Sequence, residues 1–168
     1  NNKNFPGGLD LFDKATFAIS PPTQEGGIYK LLSLGERTCW MNLRRRLKTY
    51  KRASSIAEIT CLLTADGDAA ISSLYLPLME CLEKLSAASD DQVENDIWIE
   101  YVITALNQGG YSPLEFPGLF TPTEKSVIKS VTEKIKTEIA LVSRSEMIRK
   151  LCYFIEQEVS GAKLKFMR

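Results

Sequence analysis

The sequence predicts an all-α protein, a compact bundle of about five to seven helices behind an extended N-terminal arm. Three observations carry that reading. Apolar residues recur at three- and four-residue steps through most of the chain after residue 27. Helix-start and helix-stop residues stand between these stretches. The first 27 residues, by contrast, are rich in Pro, Gly and Asn. The chain divides accordingly into an arm over residues 1–27, a single helical domain over 28–161 and a basic tail over 162–168.

In the arm, residues 15–19 suit either a short strand or an extended segment with Phe17 and Ile19 plugged into the body. Trp40, Leu43, Leu47 and Tyr50 then form one face of a first helix. Ser55 and Glu58 have the spacing of a capping box, which predicts a new helix start there. Asp66 and Gly67 predict a turn and Asp68 a cap. The next stripe is Ile71, Leu74, Tyr75, Leu78, Leu82 and Leu85, with Pro77 expected to kink or split the helix near Leu76.

A polar connector over residues 86–95 leads to a helix from about Asp96 through Trp98, Tyr101, Val102 and Ala105, stopped by Gly109 and Gly110. Thr121, Pro122 and Glu124 are a cap, a first-turn proline and a box glutamate. The stripe behind them is Ile128, Val131, Ile135, Ile139 and Val142. Ser143 and Glu146 repeat the capping pattern and open a last helix through Ile148, Leu151, Ile155 and Val159, ending at Gly161.

The residue inventory argues against an enzyme. The chain has no histidine, which removes the commonest general base near neutral pH and every triad built on one. No glycine-rich phosphate loop is present. Cys39, Cys61, Cys81 and Cys152 are widely spaced, without the clustering of a zinc site, and read as reduced thiols. Asp66, Gly67 and Asp68 lack the rest of a calcium loop, and the acids between Asp90 and Glu100 suit a helix start better than a metal. We expect no cofactor, no metal and no small-molecule substrate. No apolar run approaches the roughly 18 residues that cross a bilayer. The expected location is intracellular, cytoplasmic or nuclear, with peripheral membrane contact open.

Charge is balanced in total, 21 basic against 21 acidic residues, but segregated along the chain. Residues 37–52 hold seven basic residues and no acid, whereas residues 58–100 hold ten acids and one lysine. On a helix, Arg37, Arg44, Lys48 and Lys51 fall in one stripe that Arg45 and Arg52 widen. Such a strip suits phosphates of a nucleic acid, acidic lipid headgroups or an acidic protein face. Segregated charge also suits stacking of copies on one another. Lys51 and Arg52 before Ser54 match a basophilic kinase pattern, which makes Ser54 a candidate phosphosite. Residues 110–120 carry Tyr111, Phe116 and Phe120, which either fold back on the core or form a partner-docking hook.

The basic run over residues 36–52, in a small helical chain without catalytic residues, resembles the basic helix of influenza-type viral matrix proteins. That resemblance implies a self-assembling layer that binds lipid and nucleoprotein. The function expected from the sequence is therefore a non-enzymatic scaffold that self-associates as a homo-oligomer. It would bind nucleic acid or an acidic membrane through Arg37, Arg44, Arg45, Lys48, Lys51 and Arg52. The alternative is a protein–protein adaptor that docks its partner in an apolar groove or on the 110–120 loop.

Overall fold

A computed structural model describes residues 10–24, 26–64, 70–135, 139 and 142–159. The described residues form two compact units, within residues 1–41 and 42–168. The fold is mostly helical but not all-α, because the first unit is a β-hairpin.

Strand β1 (Asp13–Ser20) pairs antiparallel with β2 (Lys30–Cys39). Residues 13–20 are thus a paired strand rather than an arm. Residues 30–39, assigned from sequence to the helical domain, are its partner. Two irregularities in register place extra residues on β2: Ala15 pairs with Arg37 but Phe17 with Leu34, and Ala18 pairs with Ser33 but Ile19 with Leu31. Each bulge keeps an apolar residue of β2 opposite an apolar residue of β1. Ala15, Phe17, Ile19, Leu31 and Leu34 consequently share one face, since paired residues lie on the same side of a sheet. At the other end of that face Arg37 Nη2 lies 2.6 Å from Asp13 Oδ2. Loss of water pushes the Asp13 pKa up, but the Asp10 amide, the Cys39 thiol and Arg37 together hold it below the ordinary carboxylate value.

The second unit begins with α1 (Asn42–Arg45) and α2 (Leu47–Leu63). Then come α3 (Ala70–Ala87), α4 (Asp91–Gln108), a 3-10 turn at Pro113–Glu115, α5 (Pro122–Thr132) and α6 (Arg144–Glu158). Helix α4 is central. It packs against α2, α3, α5 and α6, and Trp98, Ile99, Val102, Ile103 and Leu106 are completely buried. Trp98 donates its indole N–H to Ser55 Oγ at 2.7 Å, so the largest core side chain has its one polar atom satisfied.

Several boundaries differ from the sequence reading. Ser55 lies inside α2 as that acceptor and caps nothing. Helix α3 runs through Pro77 without being split, and Tyr75 on its expected stripe is exposed. Helix α4 starts at Asp90, whose carboxylate accepts from the Gln92 and Val93 amides. It stops as expected: Gly110 is left-handed (φ 80°), Tyr111 N–H reaches Leu106 O and Gly110 N–H reaches Asn107 O.

The Thr121 capping box is present in full, with Pro122 in the first turn. Helix α5, expected to continue to Val142, stops at Thr132. There Lys134 adopts a left-handed conformation (φ 55°), Ile135 N–H bonds Ser130 O and Lys134 N–H bonds Val131 O. This is the same stop as in α4, built without a glycine. Helix α6 begins after Ser143, but the Ser143 side chain makes no capping bond. The side chain of Ile71, the turn at Asp66 to Asp68, Gly161 and the tail 162–168 lie outside the described residues. No helix among the described residues is long and apolar enough to cross a membrane.

Candidate functional site

The expected basic helix over residues 37–52 does not form as one element. Arg37 is on β2 and pairs with Asp13. Arg44 and Arg45 end α1, and Arg46 then takes an extended conformation (φ −115°, ψ 129°) before α2 begins. One extended residue resets the helical phase. Leu43 is therefore fully buried, whereas Leu47, expected four residues on along the same face, is 72% exposed.

The extended backbone at Arg46 turns its guanidinium toward the start of α4. It pairs there with Glu94, a fully helical residue whose side chain is only 2% exposed. Arg46 also donates to Thr49 Oγ1 at 3.1 Å, and Thr49 donates to the same Glu94 carboxylate at 2.6 Å. Lys48 pairs with Asp91, and Arg52 donates to Asn95 Oδ1. Burial pulls the Arg52 pKa below the ordinary arginine value, against the opposing pull of Glu94 and Asp91.

From the other side, Arg144 at the start of α6 grips Asp96 with two bonds, at 2.6 and 2.9 Å. The first turns of α4 are therefore an acidic hub that gathers cations from α2 and α6. Acids suit that position because the N-terminal amides of a helix carry partial positive charge. Among the described residues no group of acids or cysteines could hold a metal ion.

Arg37, Arg46 and Lys48 of the basic strip are thus paired with the molecule's own acids, and Arg52 is held by the Asn95 amide oxygen. Arg45 and Lys51 stay exposed, and Lys48, although paired, keeps 77% of its side chain in water. These three at steps of three residues are the accessible remainder. Ser54 is 5% exposed inside α2, and its Oγ has no hydrogen-bond partner among the described residues. The candidate phosphosite hydroxyl is thus buried within the helical unit.

The aromatic loop folds back instead of projecting. Phe120 is 5% exposed, and Phe116 meets Phe154 edge-on at 5.7 Å and Tyr153 at 6.4 Å. Tyr111 is half-buried.

Two further features are not evident from the sequence. The first is the hairpin's exposed apolar face: Phe17 is 45%, Ile19 56% and Leu31 46% exposed. Alternation in β1 signals half of it, but the leucines of β2 do not alternate and so give no sign of a strand. The second is a cleft of about 380 Å³ lined by Pro77, Cys81, Glu100, Tyr101, Val131 and Ile135, with Lys84 at its wall. Burial pushes the Cys81 thiol up to about 12, with Lys84 pulling down and Glu100 adding to the rise. At neutral pH it is a protonated thiol, and the thiolate is the reactive form. No protein-family model, curated protein or solved structure matches the chain.

Proposed function

We propose that this protein is a non-enzymatic scaffold that self-associates through its N-terminal hairpin and meets an anionic partner through Arg45, Lys48 and Lys51. The observation that carries the reading is the hairpin itself: a two-stranded sheet with an apolar, exposed face. A lone two-stranded hairpin is marginal in water and gains stability from added strands or a covering partner. The chemistry of the cleft supports the non-enzymatic part, since its cysteine is held in the unreactive form.

Sedimentation velocity over a wide concentration range tests self-association. The wild type is expected to grow in mass with concentration. Phe17→Lys combined with Leu32→Lys, one change on an exposed residue of each strand, should leave it monomeric with an unchanged helical circular-dichroism signal. A wild type that stays monomeric throughout overturns the reading. Salt-titrated binding of single-stranded RNA and of acidic vesicles tests the second part. Changing Arg45, Lys48 and Lys51 to Gln should lower the salt slope by about one unit for each phosphate that is no longer neutralised.

The cleft favours a second reading, an adaptor that takes an apolar side chain of a partner beside Ile135, which is 57% exposed. Binding through that cleft would be insensitive to salt and abolished in Ile135→Lys.

A further inference from the structure

Resting on the self-association just proposed, we propose that two copies of the chain join edge to edge through β2, antiparallel about a two-fold axis at Ser33. Strand β2 has one edge taken by β1, and among the described residues no strand pairs with its other edge. In a two-fold pairing of identical strands the numbers of facing residues have a constant sum. With Ser33 facing itself, Lys30 faces Glu36 of the second copy, Leu32 faces Leu34 and Leu31 faces Gly35, all twice over.

Charge selects this register. Lys30 and Glu36 are exposed, and neither has an ion-pair partner among the described residues. Arg37, the other cation of β2, is already held by Asp13. A slip of one residue in one direction sets Lys30 against Arg37, a like-charge pair. A slip of one in the other leaves Lys30 facing Gly35. A slip also moves the apolar residues of one copy to the opposite face. The Ser33 register keeps Phe17, Ile19, Leu31 and Leu34 of both copies on the same side of a four-stranded sheet ordered β1, β2, β2, β1. Four strands pass the number at which a sheet with an apolar face becomes independently stable.

The experiment is a charge-reversal set read by sedimentation equilibrium: Lys30→Glu, Glu36→Lys and the two combined. Each single change replaces two cross-strand attractions by two repulsions, so each should weaken the dimer about tenfold or more. The combined change restores opposite charges and should return the dimer constant to within about threefold of the wild type. The two single variants, mixed in equal amounts, form a heterodimer in which both pairs are attractive, and it should associate to within about threefold of the wild type. A second measurement is independent of charge. In a Cys39→Ser, Cys61→Ser background, Ser33→Cys should cross-link to dimer on mild oxidation, because facing side chains of an antiparallel pair stand about 4.5–5.5 Å apart at Cβ.

If the wild type is monomeric, the self-association reading falls and takes this proposal with it. If the wild type associates but the single reversals leave it untouched, only the β2 pairing is overturned. The same follows if the combined change stays as weak as the singles, or if Thr16→Cys cross-links in that background and Ser33→Cys does not. The last result would place the contact on β1.

Discussion

Arg46 and Glu94 offer a quantitative test of how the helical unit is held together. Glu94 is the more buried partner, its side chain 2% exposed against 46% for Arg46. The two halves of the pair should therefore fail unequally. Arg46→Ala leaves a carboxylate out of water with Thr49 as its remaining described donor. Removing one partner of a buried pair costs roughly 3–5 kcal/mol, and the half-exposed arginine lets some water reach the gap, so about 2–4 kcal/mol is expected. Glu94→Gln keeps the volume and an acceptor for Thr49, and the stranded guanidinium can be hydrated. Its cost should be about 1–2 kcal/mol. The double variant should cost less than the sum by at least about 1 kcal/mol, since both singles break the same interaction. Urea unfolding followed by Trp98 fluorescence in a Trp40→Phe background reads the helical unit directly, because Trp98 is fully buried in α4. If Arg46→Ala costs no more than Glu94→Gln, Glu94 is not a buried charge that depends on Arg46, and the extended residue before α2 owes its conformation to something else.

Leu43→Ala should cost about 2–5 kcal/mol, and Leu47→Ala should be close to neutral, both by urea unfolding; the reverse ranking would restore the continuous helix. Lys134→Gly should raise stability by about 0.5–1 kcal/mol, because it relieves a left-handed conformation that side chains resist. A decrease would show that the lysine side chain contributes more than its backbone strain costs. In acid, Asp90 is held low by the Val93 and Gln92 amides and Asp91 by Lys48, so both are charged more readily folded than unfolded. Their contribution is complete above the ordinary aspartate pKa of about 3.9 and is lost as pH falls through their lower folded values. Asp90→Ala should accordingly flatten the stability curve below about pH 5, and an unchanged acid limb would refute this.

The helices of the second unit are legible in the sequence where a local signal and the tertiary environment agree. Thr121 with Pro122 and Glu124 marks one start, and Gly109 with Gly110 marks one stop, because each device is complete within a few residues. The misses come from places where distant groups decide. Ser55 and Glu58 have capping-box spacing, but Ser55 is claimed by the indole of Trp98, 43 residues away in sequence. The end of α5 is a left-handed Lys134, and lysine gives no sign of it in sequence. Strand β2 is hidden because Leu31, Leu32 and Leu34 do not alternate. Two bulges restore the alternation only after pairing with β1.

The basic strip is legible in composition but not in use. Seven cations without an acid in residues 37–52 look like a surface for a foreign anion only while the segment is considered alone. The ten acids of residues 58–100 are the missing half, and the turns at the start of α4 bring four of them, Asp90, Asp91, Glu94 and Asp96, to one end of one helix. That end is where a helix best tolerates negative charge, so the acids are stable there before any cation arrives. Segregation of charge along the chain then serves to choose which helices meet: α2 and the residue before it bring Arg46, Lys48 and Arg52 to it, and α6 brings Arg144. The surface charge left for a partner is what this pairing does not use, and that is a smaller and more local set than the sequence alone suggests.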